Sequence, residues 1–555
     1  MSRDGGGRPE LNCAHSVTKD PAMLRSSRRA LPLALAVVLG LLVAGVAPAS
    51  AAPAAPAALA ARTVDRVGGA DVYSVAIAAS KLANPVDGTG ITAVVTSGTS
   101  FLTGVVAGAA AANLDGQLLL TAPTALGAAT AAELERLAPQ RIIVVGNSTV
   151  VNAAVETRLR AIQPNLVRIG AADLYATSIL LAQFADASSV VIAGGATSPA
   201  TLSAAVLAGS QGAPLVLVRP SDTAVRADLS GLFTTAGTSR VTVIGESAAV
   251  SASFANAVTK RGIAVTRVRG TSYAKLSAAI AARFSAPGRA FVMSNTGYAL
   301  AVGSIPLAAA SGAPVIYSTA HCASPQLIAF ASAAPVARIT LLGPVTKLHN
   351  AVGTLLACQS LTKASSYWVV ANKKNKLNPV SYVPADLRLP AVKRTGSHLL
   401  RKAAATSLEK MNAGSVAAGA GRVGLASGYR SYPTQKALYA RYVRTMGQKW
   451  ADSQSARAGH SEHQTGLAAD VVACSASACG SIYTFADSKQ GTWVKANAWR
   501  YGFIVRYEKG YTNVTGYASE PWHLRYIGAA AAADYKQGGF HTLETYFAYR
   551  AAPGY

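Results

Sequence analysis

The chain has 555 residues, with 51 lysines and arginines against 25 aspartates and glutamates, which gives a formal net charge of +26. Its length predicts about three or four domains, and its content of 51% hydrophobic and 14% charged residues excludes disorder over the whole chain. Beyond the N-terminus, no apolar run approaches the ~20 residues that a membrane-spanning helix needs. The excess of positive charge predicts an anionic partner, either nucleic acid or an acidic surface polymer.

The N-terminal segment has the order of a secretory signal peptide. A basic stretch ending at Arg29 precedes an apolar run over residues 30–47, and Ala49-Ser50-Ala51 follows as a cleavage site of small residues. We therefore predict a leader and signal peptide over residues 1–51. Met23, just ahead of the basic stretch, is an alternative start of translation.

An uncleaved membrane anchor is the alternative to a cleaved signal peptide. Pro32 lies within the apolar run, and an Ala/Pro-rich linker over residues 52–63 follows it instead of a stop-transfer cluster of charges. Both features favour cleavage, after which we expect no stable membrane span. Because an exported cationic chain meets an anionic cell envelope, we predict cell wall polymers as partners and no nucleic acid.

Two phrases recur with one period over residues 64–358. The opening phrases are Arg66-Val-Gly-Gly-Ala-Asp-Val-Tyr73, Arg168-Ile-Gly-Ala-Ala-Asp-Leu-Tyr175 and Arg267-Val-Arg-Gly-Thr-Ser-Tyr273. The closing phrases are Arg141-Ile-Ile-Val-Val-Gly146, Arg240-Val-Thr-Val-Ile-Gly245 and Arg338-Ile-Thr-Leu-Leu-Gly343. Because two independent markers keep the same spacing, the sequence predicts three tandem repeats.

Within each repeat, short β-branched runs alternate with Ala-rich stretches of helical length. Matching apolar strands are predicted at 117–121, 214–218 and 314–318. Apolar runs without alternation are typical of strands buried on both faces, so we predict a parallel sheet with flanking helices. Residues 64–358 contain neither G-x-G-x-x-G nor G-x-x-x-x-G-K-[ST], and we therefore assign the strand-end glycines to tight turns rather than to nucleotide binding.

These units resemble the cell wall binding repeat type 2 family, which occurs as three tandem copies on secreted Gram-positive proteins. The resemblance implies repeats over residues 64–163, 164–262 and 263–358, and non-covalent attachment to anionic wall polymers. The third copy departs from the pattern, with Arg269 and Ser272 where the others have Gly and Asp. Cys322 and Cys358 bracket the end of this copy and predict a disulfide, because export disfavours the alternative of two free thiols.

The repeat pattern stops at about residue 359, and tryptophans and loop-forming residues follow. We predict a linker over residues 359–380 and a separate domain over 381–555. Within this domain, the sequence predicts a helix over 398–411, a strand over 423–427 and a second helix through Gln435 and Tyr442.

Two segments of the last domain carry residues of metal-binding type. The first contains His463 and Asp470, and the second contains Glu520 and His523. Two imidazoles and one carboxylate are a common catalytic zinc set that leaves one position open for water. A further carboxylate must accept the proton of that water. Either segment alone is weak evidence, and His460 adds a second histidine to the first.

Three motifs together carry more information than each one alone. Ser-Gly-Tyr-Arg-Ser, Ser-x-His-x-x-Gly-x-Ala-x-Asp and Glu-x-Trp-His-x-Arg occur in this order, and together they resemble the VanY-type zinc D-alanyl-D-alanine carboxypeptidases over about residues 366–550. The resemblance implies one Zn²⁺ in the peptidase domain. It implies the metal ligands His463, Asp470 and His523, the catalytic base Glu520 and the transition-state residue Arg430.

The same resemblance implies that Ser461 and Gln435 help to hold the substrate. His460 falls at a position that the pattern leaves free, so we do not predict it as a ligand. Cys474 and Cys479 lie just after Asp470, and four intervening residues permit a small disulfide loop.

Taken together, the sequence predicts a multidomain protein with three α/β repeats, each a parallel sheet with flanking helices, followed by an α+β zinc peptidase domain. We predict a secreted enzyme, attached to a Gram-positive-type cell wall, that removes the terminal D-alanine from peptidoglycan stem peptides. Two alternatives stay open: an endopeptidase on the same scaffold, and a wall-adhesion protein whose peptidase domain is inactive.

Overall fold

The computed structural model describes residues 62–195, 198–396 and 398–555. The predicted leader and signal peptide, and nearly all of the predicted Ala/Pro linker, lie outside these residues. None of the helices in the described ranges is both long and apolar enough to cross a membrane. The described residues form parallel α/β repeats followed by a separate sheet-and-helix domain, which confirms the predicted fold class.

The described part of the repeat region contains three sheets of four parallel strands. The strands are β1 Thr63–Val67, β2 Thr92–Ser97, β3 Gln117–Thr121, β4 Arg141–Val145, β5 Leu166–Ile169, β6 Ser189–Gly194, β7 Leu215–Val218, β8 Arg240–Ile244, β9 Ala264–Val268, β10 Arg289–Ser294, β11 Val315–Ser318 and β12 Arg338–Leu342. The helices are α1 Val72–Ala83, α2 Phe101–Asn113, α3 Ala128–Leu137, α4 Ala153–Ile162, α5 Leu174–Leu181, α6 Pro199–Ser210, α7 Ala227–Thr235, α8 Ala252–Thr259, α9 Tyr273–Ala281, α10 Ile305–Ala310, α11 Pro325–Ala333 and α12 Asn350–Gly353, with 3-10 helices at Ala182–Phe184 and Tyr298–Ser304.

In each sheet, one edge strand comes from the opening phrase of another repeat. Strand β5, which carries Arg168, pairs with β4, and β9, which carries Arg267, pairs with β8. Strand β1, which carries Arg66, pairs with β12 from the far end of the region. The first strand therefore completes the last sheet, and the three sheets are linked in a closed ring.

The two recurring phrases meet each other in the structure. In each repeat, the guanidinium of the opening arginine donates a hydrogen bond to the carbonyl of a closing glycine. The pairs are Arg66 with Gly343 at 2.7 Å, Arg168 with Gly146 at 2.7 Å and Arg267 with Gly245 at 2.9 Å. All three glycines have φ between 100° and 107°, a backbone conformation that favours glycine. The opening and closing phrases recur because together they form one contact, and this contact occurs three times around the ring.

Three helices, one from each repeat, meet inside the ring. Helices α2, α6 and α10 pack pairwise against one another. Gly209 on α6 lies where they come closest, because a Cβ atom built there would be 2.5 Å from the Cβ of Ala112 and 3.1 Å from that of Ala309. The Ala-rich composition of the predicted helices therefore serves close helix packing in the core.

The opening phrases also begin the first helix of each repeat. Asp71, Asp173 and Ser272 are the N-caps of α1, α5 and α9, and each side chain accepts a hydrogen bond from a backbone N–H of the first turn. Serine and aspartate are both strong N-cap residues. The departure of the third repeat at Ser272 therefore keeps the same structural role.

The C-terminal domain is built on an antiparallel sheet of order β15-β16-β18-β17. Its strands, with a short preceding pair, are β13 Leu387–Arg388, β14 Leu400–Arg401, β15 Arg422–Ser427, β16 Ala468–Cys474, β17 Phe503–Tyr507 and β18 Glu520–Tyr526. Its helices are α13 Lys402–Ala417, α14 Tyr432–Met446, α15 Gln448–Gln454, α16 Lys489–Asn497, α17 Thr512–Thr515, α18 Ala529–Gln537 and α19 Leu543–Tyr546, with 3-10 helices at Glu462–Thr465, Ile482–Thr484 and Ala498–Tyr501.

Two of the three elements predicted here are confirmed, and the third is shifted. The predicted strand and second helix correspond to β15 and α14. The first helix begins at Lys402 rather than at 398, because Leu400 and Arg401 pair with the preceding strand β13.

A buried interface joins the third repeat to the C-terminal domain. The carboxylate of Asp534 on α18 accepts hydrogen bonds from the backbone N–H of Ala351 at 2.9 Å and from the hydroxyl of Tyr546 at 3.1 Å. Trp368, in the predicted linker, is 1% exposed and packs in the same cluster as Cys322 of the third repeat. The middle of the predicted linker is therefore part of a core, while the exact domain boundaries stay predictions.

Candidate metal centre and active site

Three predicted ligands from three different elements converge in the C-terminal domain. His463 lies on the 3-10 helix Glu462–Thr465, Asp470 on β16 and His523 on β18, where Asp470 and His523 face each other in the strand register. All three are buried, and one ligand atom from each lies within 4.8 Å of the others. The antiparallel pairing of β16 with β18 thus brings together residues that are far apart in the sequence.

Each histidine lies at a distance from an oxygen of Asp470 that is compatible with a shared metal ion. His463 Nε2 lies 3.3 Å from Asp470 Oδ2, and His523 Nδ1 lies 3.2 Å from Asp470 Oδ1. Ligands about 2.0–2.2 Å from a tetrahedral zinc ion are separated by about 3.3 Å. Direct charge-assisted hydrogen bonds between imidazolium and carboxylate are shorter, at about 2.7–2.9 Å. The donor set and its spacing therefore suit zinc.

The orientation of His463 is fixed from its other side. Its Nδ1 lies 2.7 Å from the carbonyl oxygen of Gly428, so the ring donates there and directs Nε2 toward Asp470. Histidines that bind metals almost always have such a partner, which fixes the tautomer. Gly428 belongs to the Ser-Gly-Tyr-Arg-Ser motif, so the first motif supports a ligand in the second.

Glu462 is a site residue that the sequence analysis missed. It is completely buried, and Arg506 and Arg525 each donate a hydrogen bond of 2.8 Å to its Oε1. Its Oε2 lies 3.5 Å from Nε2 of His523, on the side of the ring away from Asp470. A buried carboxylate behind a ligating histidine orients the ring. The signal in the sequence was a glutamate directly before His463 and an arginine two residues after His523.

Glu520 lies beside the predicted ligands but is more open than Glu462. It begins strand β18 and pairs with Tyr507 next to an irregularity in the β17–β18 register. Its Oε2 lies 3.4 Å from His523 Nδ1, and its side chain is 15% exposed, whereas the Glu462 side chain is fully buried. The Glu520 carboxylate is therefore partly open to solvent, whereas the Glu462 carboxylate is enclosed by protein.

Arg430 and Gln435 form a pair at the same site. The guanidinium of Arg430 donates to Gln435 Oε1 at 2.8 Å and to Ser427 Oγ at 3.1 Å, and its backbone N–H donates to the carbonyl of His463. Gln435 is fully buried and donates to the carbonyl of Ala456 at 2.6 Å. Its observed contacts hold Arg430, so the structure supports a positioning role, and the direct substrate contact predicted for Gln435 stays a prediction.

The other residues considered in the sequence analysis lie in three different settings. Ser461 occupies the position before the 3-10 helix of His463, and its side chain makes no capping hydrogen bond there, so the substrate contact predicted for its hydroxyl stays a prediction. His460 bonds to the carbonyl of Asn372 at 2.8 Å and packs against Tyr555, and it is not part of the ligand cluster. Both predicted disulfides, Cys474–Cys479 and Cys322–Cys358, are present.

The charges at the site favour an ionised carboxylate. Burial alone raises the pKa of Asp470, but the charges and hydrogen bonds of His463 and His523 lower it overall, well below its usual range. Burial lowers the pKa of Arg430, and the neighbouring Asp470 partly offsets this effect. The cluster therefore presents an anionic ligand between two imidazoles, with a cation close by.

Comparison with known proteins gives the same two regions. A family model described as D-alanyl-D-alanine carboxypeptidase, VanY, matches residues 397–529. A model described as cell wall binding domain 2 matches residues 66–156 and 168–255, within the first two repeats. Residues 66–255 thus contain cell wall binding repeats.

Individual relatives match parts of the chain. A putative carboxypeptidase of Bacillus subtilis, YodJ, is 36% identical over 207 residues, which are 36% of this chain and 74% of that protein. A D-alanyl-D-alanine carboxypeptidase of Enterococcus faecium is 40% identical over 124 residues, 22% of this chain and 35% of that protein. A solved structure of the vancomycin resistance D,D-pentapeptidase VanY in complex with Zn(II) is 27% identical, covers 32% of this chain and 97% of its own, and has a TM-score of 0.28.

The matched segment 397–529 contains Arg430, Ser461, the three predicted ligands and Glu520, and the Bacillus relative is matched over most of its length. The motifs, the geometry of the cluster, the family model and the Bacillus relative agree, and the chain belongs to the VanY family of D-alanyl-D-alanine carboxypeptidases.

Proposed function

We propose that this protein is an exported, wall-attached zinc carboxypeptidase that removes the terminal D-alanine from peptidoglycan stem peptides. The observation that carries the proposal is the convergence of two buried imidazoles and a buried carboxylate beside the more open carboxylate of Glu520. Membership in the VanY family supports the same activity. The cell wall binding repeats support a location at the wall.

One zinc ion would be held by His463, Asp470 and His523. When bound, zinc supplies Lewis acidity, which lowers the pKa of water and polarises a carbonyl group. Its ligands are anchored from behind by the carbonyl of Gly428 and the carboxylate of Glu462. This support keeps the ligand atoms in position without help from the substrate.

Glu520 would transfer the proton in the reaction, and Arg430 would stabilise the negative charge that develops on the substrate. Glu520 accepts a proton from the attacking water and hands it to the departing amine, a role that needs a carboxylate within reach of substrate but outside the ligand set. Arg430 is held by Gln435 and Ser427, and its remaining N–H groups would stabilise the oxygen where negative charge develops. Ser461 would contribute a hydroxyl to substrate binding.

Attachment to the wall would come from the repeats. The chain carries a formal charge of +26, which suits binding to anionic polymers. Both disulfides support an exported location, because disulfides persist in oxidising compartments. The full chain should sediment with Gram-positive walls, and high salt should release it if charge supplies the affinity. Binding that survives complete removal of the anionic polymers contradicts the proposed partner.

Mass spectrometry of purified muropeptides after digestion with the zinc-loaded protein tests the activity. Loss of a single terminal alanine supports the carboxypeptidase. Release of a larger fragment supports the endopeptidase alternative instead. Intact muropeptides, with zinc bound to folded protein, leave the wall-adhesion alternative.

A further inference from the structure

A second buried carboxylate lies behind Glu462. Glu544, on the short helix α19, is fully buried, and it takes no part in the proposed metal binding or proton transfer. It lies outside the segment 397–529 that the carboxypeptidase model matches, and outside every motif of the peptidase domain. Because a buried charge is costly unless it is paired and hydrogen-bonded, the partners of Glu544 indicate its role.

Glu544 and Glu462 share one guanidinium group. Arg506 directs two N–H groups at Glu544, with Nη1 3.0 Å from Oε2 and Nη2 2.7 Å from Oε1. Its Nε donates to Oε1 of Glu462 at 2.8 Å, and the Arg506 side chain is fully buried. A contact through two parallel hydrogen bonds fixes the orientation of a guanidinium as well as its position. Glu544 therefore determines which edge of Arg506 meets Glu462.

This arrangement leaves one oxygen of Glu462 available to His523. Oε1 of Glu462 accepts hydrogen bonds from both Arg506 and Arg525, each at 2.8 Å. Oε2 lies 3.5 Å from Nε2 of His523, and neither of these two atoms has a hydrogen-bond partner among the described residues. Each is therefore free to serve the other, as the outer partner of a ligating histidine does.

Loss of the Glu544 carboxylate would leave two N–H groups of Arg506 unpaired in a buried site. The other carboxylate in contact with Arg506 is that of Glu462. Because guanidinium groups favour two parallel hydrogen bonds to a carboxylate, Arg506 would turn and occupy Oε2 of Glu462 as well. The imidazole of His523 would then lose its outer partner. Glu544 prevents this competition by engaging the N–H groups first.

We propose that Glu544 is a positioning residue for the metal centre, which holds the outer N–H groups of Arg506 and so keeps Oε2 of Glu462 available to His523. The path runs through contacts of fully buried side chains from α19 to β17 and then to the 3-10 helix beside the ligands. The inference rests on the proposed function, because it presupposes zinc at the three predicted ligands.

Competitive zinc titration of the full chain tests the role of Glu544. Glu544→Gln should weaken zinc binding about three- to tenfold, which is less than the ~10–100-fold loss typical for a direct outer partner of a ligand. Glu544→Asp keeps the charge but not the reach, so it should also weaken zinc binding, though less. This second variant decides the question if Glu544→Gln does not fold.

Tyr546→Phe is the matched control on the same helix. It removes the hydrogen bond from the Tyr546 hydroxyl to Asp534 and keeps the aromatic ring. The melting temperature should fall because a buried hydrogen bond is lost, while zinc affinity should stay unchanged. An equal loss of zinc affinity in Tyr546→Phe and in the Glu544 variants would show that α19 acts only through general stability, and would overturn the proposal.

A double substitution tests the path through Arg506. Arg506→Met/Glu544→Gln removes the guanidinium together with its carboxylate and leaves Glu462 paired with Arg525. Replacement of a buried ion pair by uncharged side chains is often tolerated. With no guanidinium left to occupy Oε2 of Glu462, the double variant should bind zinc more tightly than Glu544→Gln alone.

The outcomes separate this inference from the proposed function. Unchanged zinc affinity in the folded Glu544 variants overturns the positioning role alone, provided that the unmodified protein binds zinc. A double variant that binds zinc as weakly as Glu544→Gln also overturns it, because the competition by Arg506 would then be absent. Failure of the unmodified protein to bind zinc overturns the proposed function and this inference together.

Discussion

The repeats and the C-terminal domain both carry recognisable motifs, but the motif residues have different roles in the two regions. In the repeats, the opening arginines donate to backbone carbonyls at the ends of neighbouring strands, and the residues before the tyrosines cap helices. In the C-terminal domain, three motifs meet at one buried cluster of side chains. In the repeats, a recurring motif thus marks the contacts between one repeat and the next. In the C-terminal domain, polar motifs that are far apart in the sequence mark a candidate functional site.

The largest effect we expect is loss of the metal. His463→Ala removes one of the three proposed protein ligands, so both zinc content and peptide hydrolysis should fall to background. Metal analysis beside a D-Ala-D-Ala hydrolysis assay checks this. His460→Ala is the matched control, since His460 contacts Asn372 and Tyr555 outside the cluster and should keep both zinc and activity. Full zinc in His463→Ala would remove His463 from the ligand set.

Catalysis should be separable from metal binding at Glu520. Glu520→Gln keeps the size of the side chain but cannot accept a proton, so zinc and fold should remain while turnover falls by at least about 10²–10⁴-fold. The same two assays check this variant. A zinc-free Glu520→Gln would make Glu520 a ligand, and a fully active one would put the base elsewhere.

A substitution at Glu462 tests how much the carboxylate behind His523 contributes to zinc affinity and to stability. Glu462→Gln leaves Arg506 and Arg525 without a shared carboxylate in a fully buried site, and should lower the unfolding free energy by about 3–5 kcal/mol. It should also weaken zinc affinity about 10–100-fold through His523. Chemical denaturation and competitive zinc titration measure the two effects.

A matched control for this variant is available in the same domain. Glu409→Gln breaks a partly exposed pair with Arg388 and should cost less than about 1 kcal/mol, with zinc affinity unchanged. Equal effects of the two substitutions on zinc affinity would show that Glu462 acts only through general stability.

The sequence was sufficient to predict the main helices and strands and the cluster of His463, Asp470 and His523. It did not predict the long-range contacts that complete the repeat ring and support the cluster. Apolar runs predicted β3, β7 and β11, and the resemblance of the three motifs to the VanY-type carboxypeptidases implied which side chains converge. The pairing of β1 with β12 joins residues at opposite ends of the region, and no local pattern encodes such a partner. Glu462 was missed for a similar reason, because its role depends on Arg506, which lies 44 residues away and outside every motif.

The ring contacts should matter for stability and not for chemistry. Arg168→Ala removes hydrogen bonds from a charged donor to the carbonyls of Gly146 and Val151, and should cost about 1.5–3 kcal/mol of unfolding free energy. Hydrolysis of a soluble D-Ala-D-Ala peptide should be unchanged at temperatures where the variant is folded. A large loss of turnover in folded Arg168→Ala would mean that the repeats contribute to the active site.

The smallest effect concerns the departure of the third repeat from its own pattern. Ser272 accepts a hydrogen bond from the backbone N–H of Lys275 and so caps α9. Ser272→Ala should therefore cost about 1 kcal/mol, whereas Ser272→Asp, which restores the residue of the other two repeats, should cost almost nothing because both side chains cap helices well. Thermal unfolding of the two variants measures the difference. If Ser272→Asp were as destabilising as Ser272→Ala, helix capping would not explain why serine can replace aspartate at this position of the third repeat.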